Sequence, residues 1–269
     1  MRGTAAAFLF LAVALVSGCG RTTRALDAKG GSLPPLGRGC GTDAAGVKAK
    51  VGWFRATDGI LLDGVSLGDG KTGIALAHES PADLCGWVPY AKVLGAAGFR
   101  VLAFDHRHFG LSQSPIAADK CGRFSKDLAG PVAELEHEGA KKVFLMGASF
   151  GGITSMVAGS RLGSKVAGVI SVSGEKQLAN RCGPAAELDA VDAVPRLRAP
   201  FLILGSREDG FLLPSDARAL LRRAGSPHKR LVLFPGGDHG WDILEHAPYR
   251  ARANMTVQAF LKNYEWVFD

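Results

Sequence analysis

The stretch Lys142–Gly152, KVFLMGASFGG, joins a run of apolar residues to a serine that lies between glycines. The apolar run is typical of a buried strand, and the residues that follow, ITSMVAGSRLG, are typical of a helix. So short a turn places its central residue in a strained backbone conformation, and side chains two positions away would clash with the strand and the helix. The stretch therefore predicts a tight strand–turn–helix unit that exposes the hydroxyl of Ser149.

The chain around this unit alternates short apolar runs with helical patterns. The runs are VGWFRAT, LLDGVSL, TGIALAH, FRVLAFD, KKVFLMG, KVAGVISVSG, PFLILG and KRLVLFP. Alternation of this kind is typical of βαβ units, so we predict an α/β fold with one doubly wound, mostly parallel sheet flanked by helices. Residues 49–269 form this single domain, and no internal repeat indicates a second one. Reactive groups in such folds gather at the carboxyl ends of the strands.

A base and an acid follow two of the later strands. A serine hydroxyl becomes a good nucleophile only when a base removes its proton and a carboxylate orients that base. Glu208 and Asp209 follow FLILG, and His239 follows KRLVLFP. We favour Asp209, which precedes a glycine, over Glu208, and His239, which lies just past its strand, over the later His246. The alternative is that the serine is merely a small residue in a tight turn.

These motifs resemble the α/β-hydrolase family of serine hydrolases over the whole of residues 49–269. FDHRHFGLS resembles the family motif D-x-R-G-x-G-x-S, with His108 at a position where glycine is usual. ALAHES resembles the H-G turn after the third strand, with Glu79 in place of the glycine. By this resemblance the backbone N–H groups of Phe150 and of Ser80 or Glu79 form the oxyanion hole.

The resemblance implies a reaction without a cofactor. Ser149 attacks an acyl carbonyl, His239 takes its proton, Asp209 holds the imidazolium, and water releases the acyl-enzyme. The segment between Gly174 and Phe201 is too short for a large lid, so we expect small or medium esters as substrates. Two other classes stay open. One is another acyl-transfer enzyme, such as a peptidase, thioesterase or envelope acyltransferase, and the other is a non-catalytic ligand-binding lipoprotein.

The N-terminus is typical of an exported protein. Residues 1–18 contain Arg2 and the apolar run AAAFLFLAVALV, which predicts a signal peptide. The run ends in VSGC, which resembles the lipobox of bacterial lipoproteins and implies cleavage before Cys19 and acylation of its thiol. Residues 19–48 are then a tether to a membrane of the bacterial cell envelope. An uncleaved anchor and an ordinary secretory site are the alternatives.

The cysteine count agrees with export. Five cysteines would leave one unpaired, but lipidation of Cys19 leaves the even set Cys40, Cys85, Cys121 and Cys182. Four cysteines allow three pairings, and the sequence alone does not choose between them. We favour a disulfide between Cys85 and Cys121, because both would follow neighbouring strands at the same edge of the sheet.

Other partner classes are unsupported. The net charge is +7, but no run of Lys and Arg alternates with aromatic residues, so nucleic-acid binding is not expected. No C-x-x-C pair indicates zinc, and Asp105, His106 and His108 are a weak metal motif, so no metal site is expected.

Overall fold

The computed structural model describes Cys40 and residues 49–117, 122–178, 188–246 and 248–263. The predicted signal peptide, Cys19 and the predicted tether other than Cys40 lie outside the described residues. The strands are β1 Ala49–Arg55, β2 Leu61–Leu67, β3 Thr72–Ala77, β4 Arg100–Phe104, β5 Lys142–Ala148, β6 Gly168–Val172, β7 Gln177–Leu178, β8 Leu188–Asp189, β9 Phe201–Ser206 and β10 Lys229–Phe234. The helices are α1 Val88–Ala96, α2 Ala129–His137, α3 Phe150–Leu162, α4 Ala190–Ala193, α5 Pro214–Arg223, α6 Asp242–Glu245 and α7 Arg250–Asn263. None of the described helices is both long and apolar enough to span a membrane.

The main sheet confirms the predicted doubly wound architecture. Its strand order among the described residues is β1-β2-β4-β3-β5-β6-β9-β10. The first two pairings, β1 with β2 and β2 with β4, are antiparallel, and every later pairing is parallel. The strand order reverses at β3, because the chain passes from β3 to β4 on one side and then crosses back to β5 on the other side of β3. Ligands of such sheets bind where the strand order reverses, at the carboxyl ends of the strands.

Helices cover both faces of the sheet because side chains of each strand alternate between the faces. In β5, Val143 and Leu145 contribute to the core layer under α2, α3 and α5, whereas Phe144 and Met146 contribute to the layer under α1, α6 and α7. All four side chains are buried. Strands buried on both faces read as continuous apolar runs, which is why the sequence predicted these strands well.

The segment between β6 and β9 is small where it is described. It contains the two-stranded hairpin β7–β8 and the one-turn helix α4. Residues 179–187 of this segment, including Cys182, lie outside the described residues.

A disulfide joins Cys40 to Cys85, so the predicted pairing of Cys85 with Cys121 is wrong. Cys85 lies in the short 3-10 helix Leu84–Trp87 after β3, and both bonded cysteines belong to the core layer under α1. Cys121 itself is outside the described residues, but Phe124, three positions later, packs in the opposite core layer. Proximity of two strand ends did not reveal on which face of the sheet each following segment lies.

Candidate active site

Ser149 occupies the tight turn between β5 and α3, with φ 48° and ψ −113°. Its backbone N–H donates a hydrogen bond to the carbonyl oxygen of Val172 at 2.8 Å, which joins the turn to β6. A Cβ atom at Gly147 would overlap the carbonyl of Gly151, and one at Gly151 would overlap the carbonyl of Ala77 at the end of β3. The glycines are therefore required by close backbone contacts, as the sequence predicted. Ser149 itself is only 8% exposed.

Asp209 and His239 form a hydrogen-bonded pair at the same edge of the sheet. Asp209 follows β9 and His239 follows β10, and Nδ1 of His239 lies 3.0 Å from each carboxylate oxygen. Asp209 is 1% exposed, and its Oδ1 also accepts the backbone N–H of Phe211 at 2.8 Å. Since Nδ1 of His239 donates to Asp209, Nε2 is left as the acceptor nitrogen. Glu208 is exposed to solvent, so the structure brings Asp209 to the histidine.

Asp209 and His239 each stabilise the charged form of the other. Burial opposes ionisation of Asp209, but hydrogen bonds from His239 and the N–H of Phe211 lower its pKa below the usual value. Burial also opposes protonation of His239, but the hydrogen bond and charge of Asp209 raise its pKa above the usual range. Glu79 and Glu175 add to that rise. The imidazolium form of His239 is thus stabilised by three carboxylates.

The loop of His239 lies beside the turn of Ser149. A Cβ atom at Gly240 would lie 3.7 Å from Cβ of Ala148, so the residue after the histidine lies next to the residue before the serine. Among the described residues, the Ser149 hydroxyl forms no hydrogen bond with His239; catalytic hydrogen bonds are often long before substrate binds. His246, the rival base, is an exposed side chain whose Nδ1 lies 3.2 Å from Asp242.

Phe150 is the first residue of α3, and N–H groups in the first turn of a helix have no partner within it. Their positive ends point towards the Ser149 turn, where negative charge is stabilised. A Cβ atom at Gly151 would lie 2.8 Å from the carbonyl oxygen of His78, so the turn after β3 also lies against this helix N-terminus. The structure thus brings both segments predicted to supply oxyanion donors to one place. Glu79 is half-buried there and Ser80 is exposed.

Buried His78 holds the turn after β3 in place. Its Nδ1 lies 2.8 Å from the carbonyl oxygen of Glu79, and its Nε2 accepts the backbone N–H of His106 at 3.1 Å. Complete burial and the nearby His106 lower the pKa of His78 to about 3. The imidazole is therefore neutral at any physiological pH, donates through Nδ1 and accepts through Nε2.

The loop after β4 shows what the D-x-R motif does in this chain. Asp105 accepts the backbone N–H groups of Leu84 and Leu111 at 2.8 and 3.0 Å, and its side chain fills the space beside Gly110. The hydroxyl of Ser112 donates to the carbonyl of Asp105 at 2.6 Å. The motif thus folds the loop that packs beside the site.

The histidines of this loop do not assemble a metal site. Nδ1 of His106 lies 3.3 Å from Asp127, and Nε2 lies 3.4 Å from the hydroxyl of Thr154, all within the buried core. His108 is exposed and has φ 69°. In the part of the chain that the structure describes, no three potential ligands are grouped as a metal would require.

Two residues near His239 were missed by the sequence reasoning. Glu175 lies just beyond the end of β6, and its half-buried carboxylate interacts electrostatically with His239 and Asp209. Phe211 is 65% exposed, and its ring lies 4.7 Å from the imidazole of His239. A charged residue just after a parallel strand and an apolar residue in the loop of the acid were the available signals.

Known proteins share the architecture of this chain. A family model described as alpha/beta hydrolase fold matches residues 73–196, which include Ser149. An esterase from Pyrococcus furiosus superposes with a TM-score of 0.69 at 16% identity, covering 81% of this chain and 91% of that chain. The chain has the α/β-hydrolase fold.

Two other structures share this α/β-hydrolase fold. An esterase from Thermogutta terrifontis has a TM-score of 0.64 at 21% identity and covers 80% of this chain and 99% of its own. A monoacylglycerol lipase from Paleococcus ferrophilus has a TM-score of 0.62 at 20% identity and covers 76% and 99%. Similarity in each case extends over nearly the whole length of the other protein. The matched family region ends before Asp209 and His239, so their placement rests on the geometry described above.

Proposed function

We propose that this protein is a serine hydrolase that cleaves carboxylic esters through an acyl-enzyme on Ser149. The observation that supports it most is the hydrogen-bonded pair of Asp209 and His239, because the loop of His239 lies beside the strained Ser149 turn. A base oriented by a buried carboxylate beside a serine at a helix N-terminus is the arrangement that nucleophilic acyl transfer requires. A serine that was merely a small residue in a tight turn would not need an oriented base beside it.

The chemistry follows from the positions of these groups. Nε2 of His239 accepts the hydroxyl proton of Ser149 as its oxygen attacks the acyl carbonyl, and Asp209 stabilises the imidazolium that forms. The developing oxyanion accepts hydrogen bonds from the N–H of Phe150 and from the turn that contains Glu79 and Ser80. The imidazolium then protonates the leaving alcohol. Water, deprotonated by the same histidine, releases the acid and restores the serine.

Small or medium esters are the substrates that the site suits. The segment between β6 and β9 is short, and its described part is a two-stranded antiparallel sheet and a one-turn helix. The exposed ring of Phe211 beside His239 offers an apolar surface to one side of the ester. Esterases and a monoacylglycerol lipase among proteins of the same fold are consistent with this class.

Labelling with a fluorophosphonate probe tests the proposal. We expect the parent and the control Ser160→Ala to be labelled, because Ser160 lies within α3, away from the turn, with its hydroxyl bonded to the carbonyl of Val157. Ser149→Ala and His239→Ala should not be labelled. Labelling of Ser149→Ala at the parent level, or no labelling of a folded parent, would contradict an activated serine. A panel of p-nitrophenyl esters should then give its highest kcat/KM at short or medium acyl chains, and a preference for long-chain triglycerides would contradict the substrate class.

We further propose that the protein is exported and held in the bacterial cell envelope by lipid on Cys19. Support comes from the signal-peptide pattern of residues 1–18 and from the Cys40–Cys85 disulfide, which is typical of an oxidising compartment. Mass spectrometry of the N-terminal peptide and membrane fractionation test it. The parent should be acylated and sediment with membranes, whereas Cys19→Ala should be neither. Equal fractionation of both proteins without acylation would exclude the lipid anchor.

A further inference from the structure

Glu79 occupies the position of the glycine in the H-G turn that this segment resembles. Its side chain lies in the candidate active site. It follows His78 at the carboxyl end of β3, next to β5. The hydrogen bond from His78 to the carbonyl of Glu79 holds this backbone in place. Since buried His78 stays neutral, that support persists across the working pH range. The backbone that carries the Glu79 side chain is thus fixed by a buried, neutral imidazole.

This carboxylate packs against the loop of His239. Its Oε2 accepts the backbone N–H of Trp241 at 3.4 Å, a contact between residues 162 positions apart. Gly240 has φ 57°, and a Cβ atom there would overlap the same carboxylate oxygen. The side chain of Ala148 lies near the same point, 3.7 Å from that Cβ position. Gly240, the residue after His239, therefore lies beside both the carboxylate of Glu79 and the residue that precedes Ser149.

The charges that face His239 come from three different connections of the sheet. Asp209 after β9 is hydrogen-bonded to its Nδ1, and Glu79 after β3 and Glu175 after β6 interact with it through charge alone. Burial raises the pKa of Glu79, an effect that the charge of Asp242 reinforces and that the charge of His239 opposes. Glu79 alone among the three carboxylates also contacts the backbone of the histidine loop.

We propose that Glu79 is a positioning residue, which holds the His239 loop beside the Ser149 turn and adds its negative charge to those of Asp209 and Glu175 around the imidazolium. This inference rests on the proposed hydrolase function. In this role the carboxylate of Glu79 acts through His239, whichever backbone N–H of its turn binds the oxyanion. Its charge favours protonated imidazole, which forms as the serine attacks, and its contact with Gly240 and Trp241 sets where the imidazole can lie.

The pH dependence of ester hydrolysis and the titration of His239 test this role together. The full chain and Glu79→Gln are compared with p-nitrophenyl butyrate, because glutamine keeps an oxygen for the N–H of Trp241 but removes the charge. Loss of the negative charge of Glu79 lowers the pKa of His239, because that charge favours the imidazolium. Since the base must be neutral, the acid limb of kcat/KM moves to lower pH by the same amount. The maximal kcat should fall by about 3- to 10-fold because the imidazolium is less stabilised.

Controls separate charge from packing and from general damage. Glu136→Gln removes an exposed charge on α2 and should leave profile and rate unchanged. Glu175→Gln should move the acid limb to lower pH and leave the contact of Glu79 with Gly240 and Trp241 unchanged. Glu79→Ala, which removes charge and contact together, should lower kcat further than Glu79→Gln.

The outcome can be read even if the hydrolase proposal fails. NMR titration of the His239 imidazole in the folded parent and in Glu79→Gln reports the pKa without any turnover. An unchanged imidazole pKa and acid limb, with kcat within twofold of the parent, would overturn the positioning role. If the folded parent is not labelled by the fluorophosphonate probe, the hydrolase proposal is overturned, and the NMR titration still tests the effect of Glu79 on His239.

Discussion

Removal of Asp127 should destabilise the protein through a buried arginine in the loop after β4. The side chains of Arg107 and Asp127 are both fully buried. Asp127 accepts hydrogen bonds from Nε and Nη2 of Arg107 at 2.8 and 2.6 Å, and from the backbone N–H of Arg107 at 3.1 Å. Asp58 holds the other side of the guanidinium through two hydrogen bonds of 2.9 Å.

The expected loss follows from what stays behind. Breaking a buried ion pair by removing one partner costs about 3–5 kcal/mol, because a buried charge is left uncompensated. Asp58 still pairs with Arg107, so we expect the lower end, about 3 kcal/mol, for Asp127→Ala. For a domain of this size such a loss lowers Tm by about 6–12 °C. Thermal unfolding followed by circular dichroism measures the shift, and urea unfolding measures the free energy.

Two further variants make the test specific. Glu136→Ala, an exposed carboxylate on α2, should change the unfolding free energy by less than about 0.5 kcal/mol. In an Arg107→Met background, the additional loss from Asp127→Ala should be far smaller, since no buried cation remains to be stranded. A loss below about 1 kcal/mol for Asp127→Ala in the parent, or an equal loss in both backgrounds, would refute the reasoning.

Three other predictions concern the site and its frame. Gly151→Ala, whose new methyl would overlap the carbonyl of Ala77, should slow fluorophosphonate labelling by at least about 100-fold in a folded protein; near-parent labelling would contradict the close contact. Cys85→Ser removes the disulfide that closes a loop between residues 45 positions apart, and loop-closure entropy assigns such a cross-link about 4 kcal/mol of stability. Urea unfolding should show a loss of unfolding free energy of this size, and the parent treated with reductant should show the same loss. Because the pKa of His239 is raised, kcat/KM should fall as pH drops through a value above 6.5, and an acid limb below pH 6 would disagree with the carboxylates around it.

The fold could be predicted from local patterns. β5 and β9 are short apolar runs buried on both faces, and the close contact between Gly147 and Gly151 involves residues only four positions apart. The turn of Ser149 could therefore be predicted together with its glycines. Asp209 and His239 could be proposed because carboxyl ends of parallel strands meet at one edge of a sheet.

Contacts between distant segments were not available from the same patterns. The pairing of Cys40 with Cys85 depends on which face of the sheet each flanking segment covers, and no periodicity encodes that choice. The turn after β3 was expected to supply a backbone N–H to the oxyanion, with Glu79 as a departure from glycine. That its carboxylate reaches Gly240 became visible only with the loop of β10 in place.

The sequence by itself determined which strands and helices follow one another along the chain, and it determined the strained serine turn. Both depend on burial patterns and on sterics within a few residues. Only the tertiary structure decided that Asp209 and not Glu208 meets His239, that Asp127 and Asp58 enclose Arg107, and that Glu79 faces the histidine loop. Each of these contacts joins segments brought together by the order of strands in the sheet. That order is set by the packing of the whole domain, which local sequence does not specify.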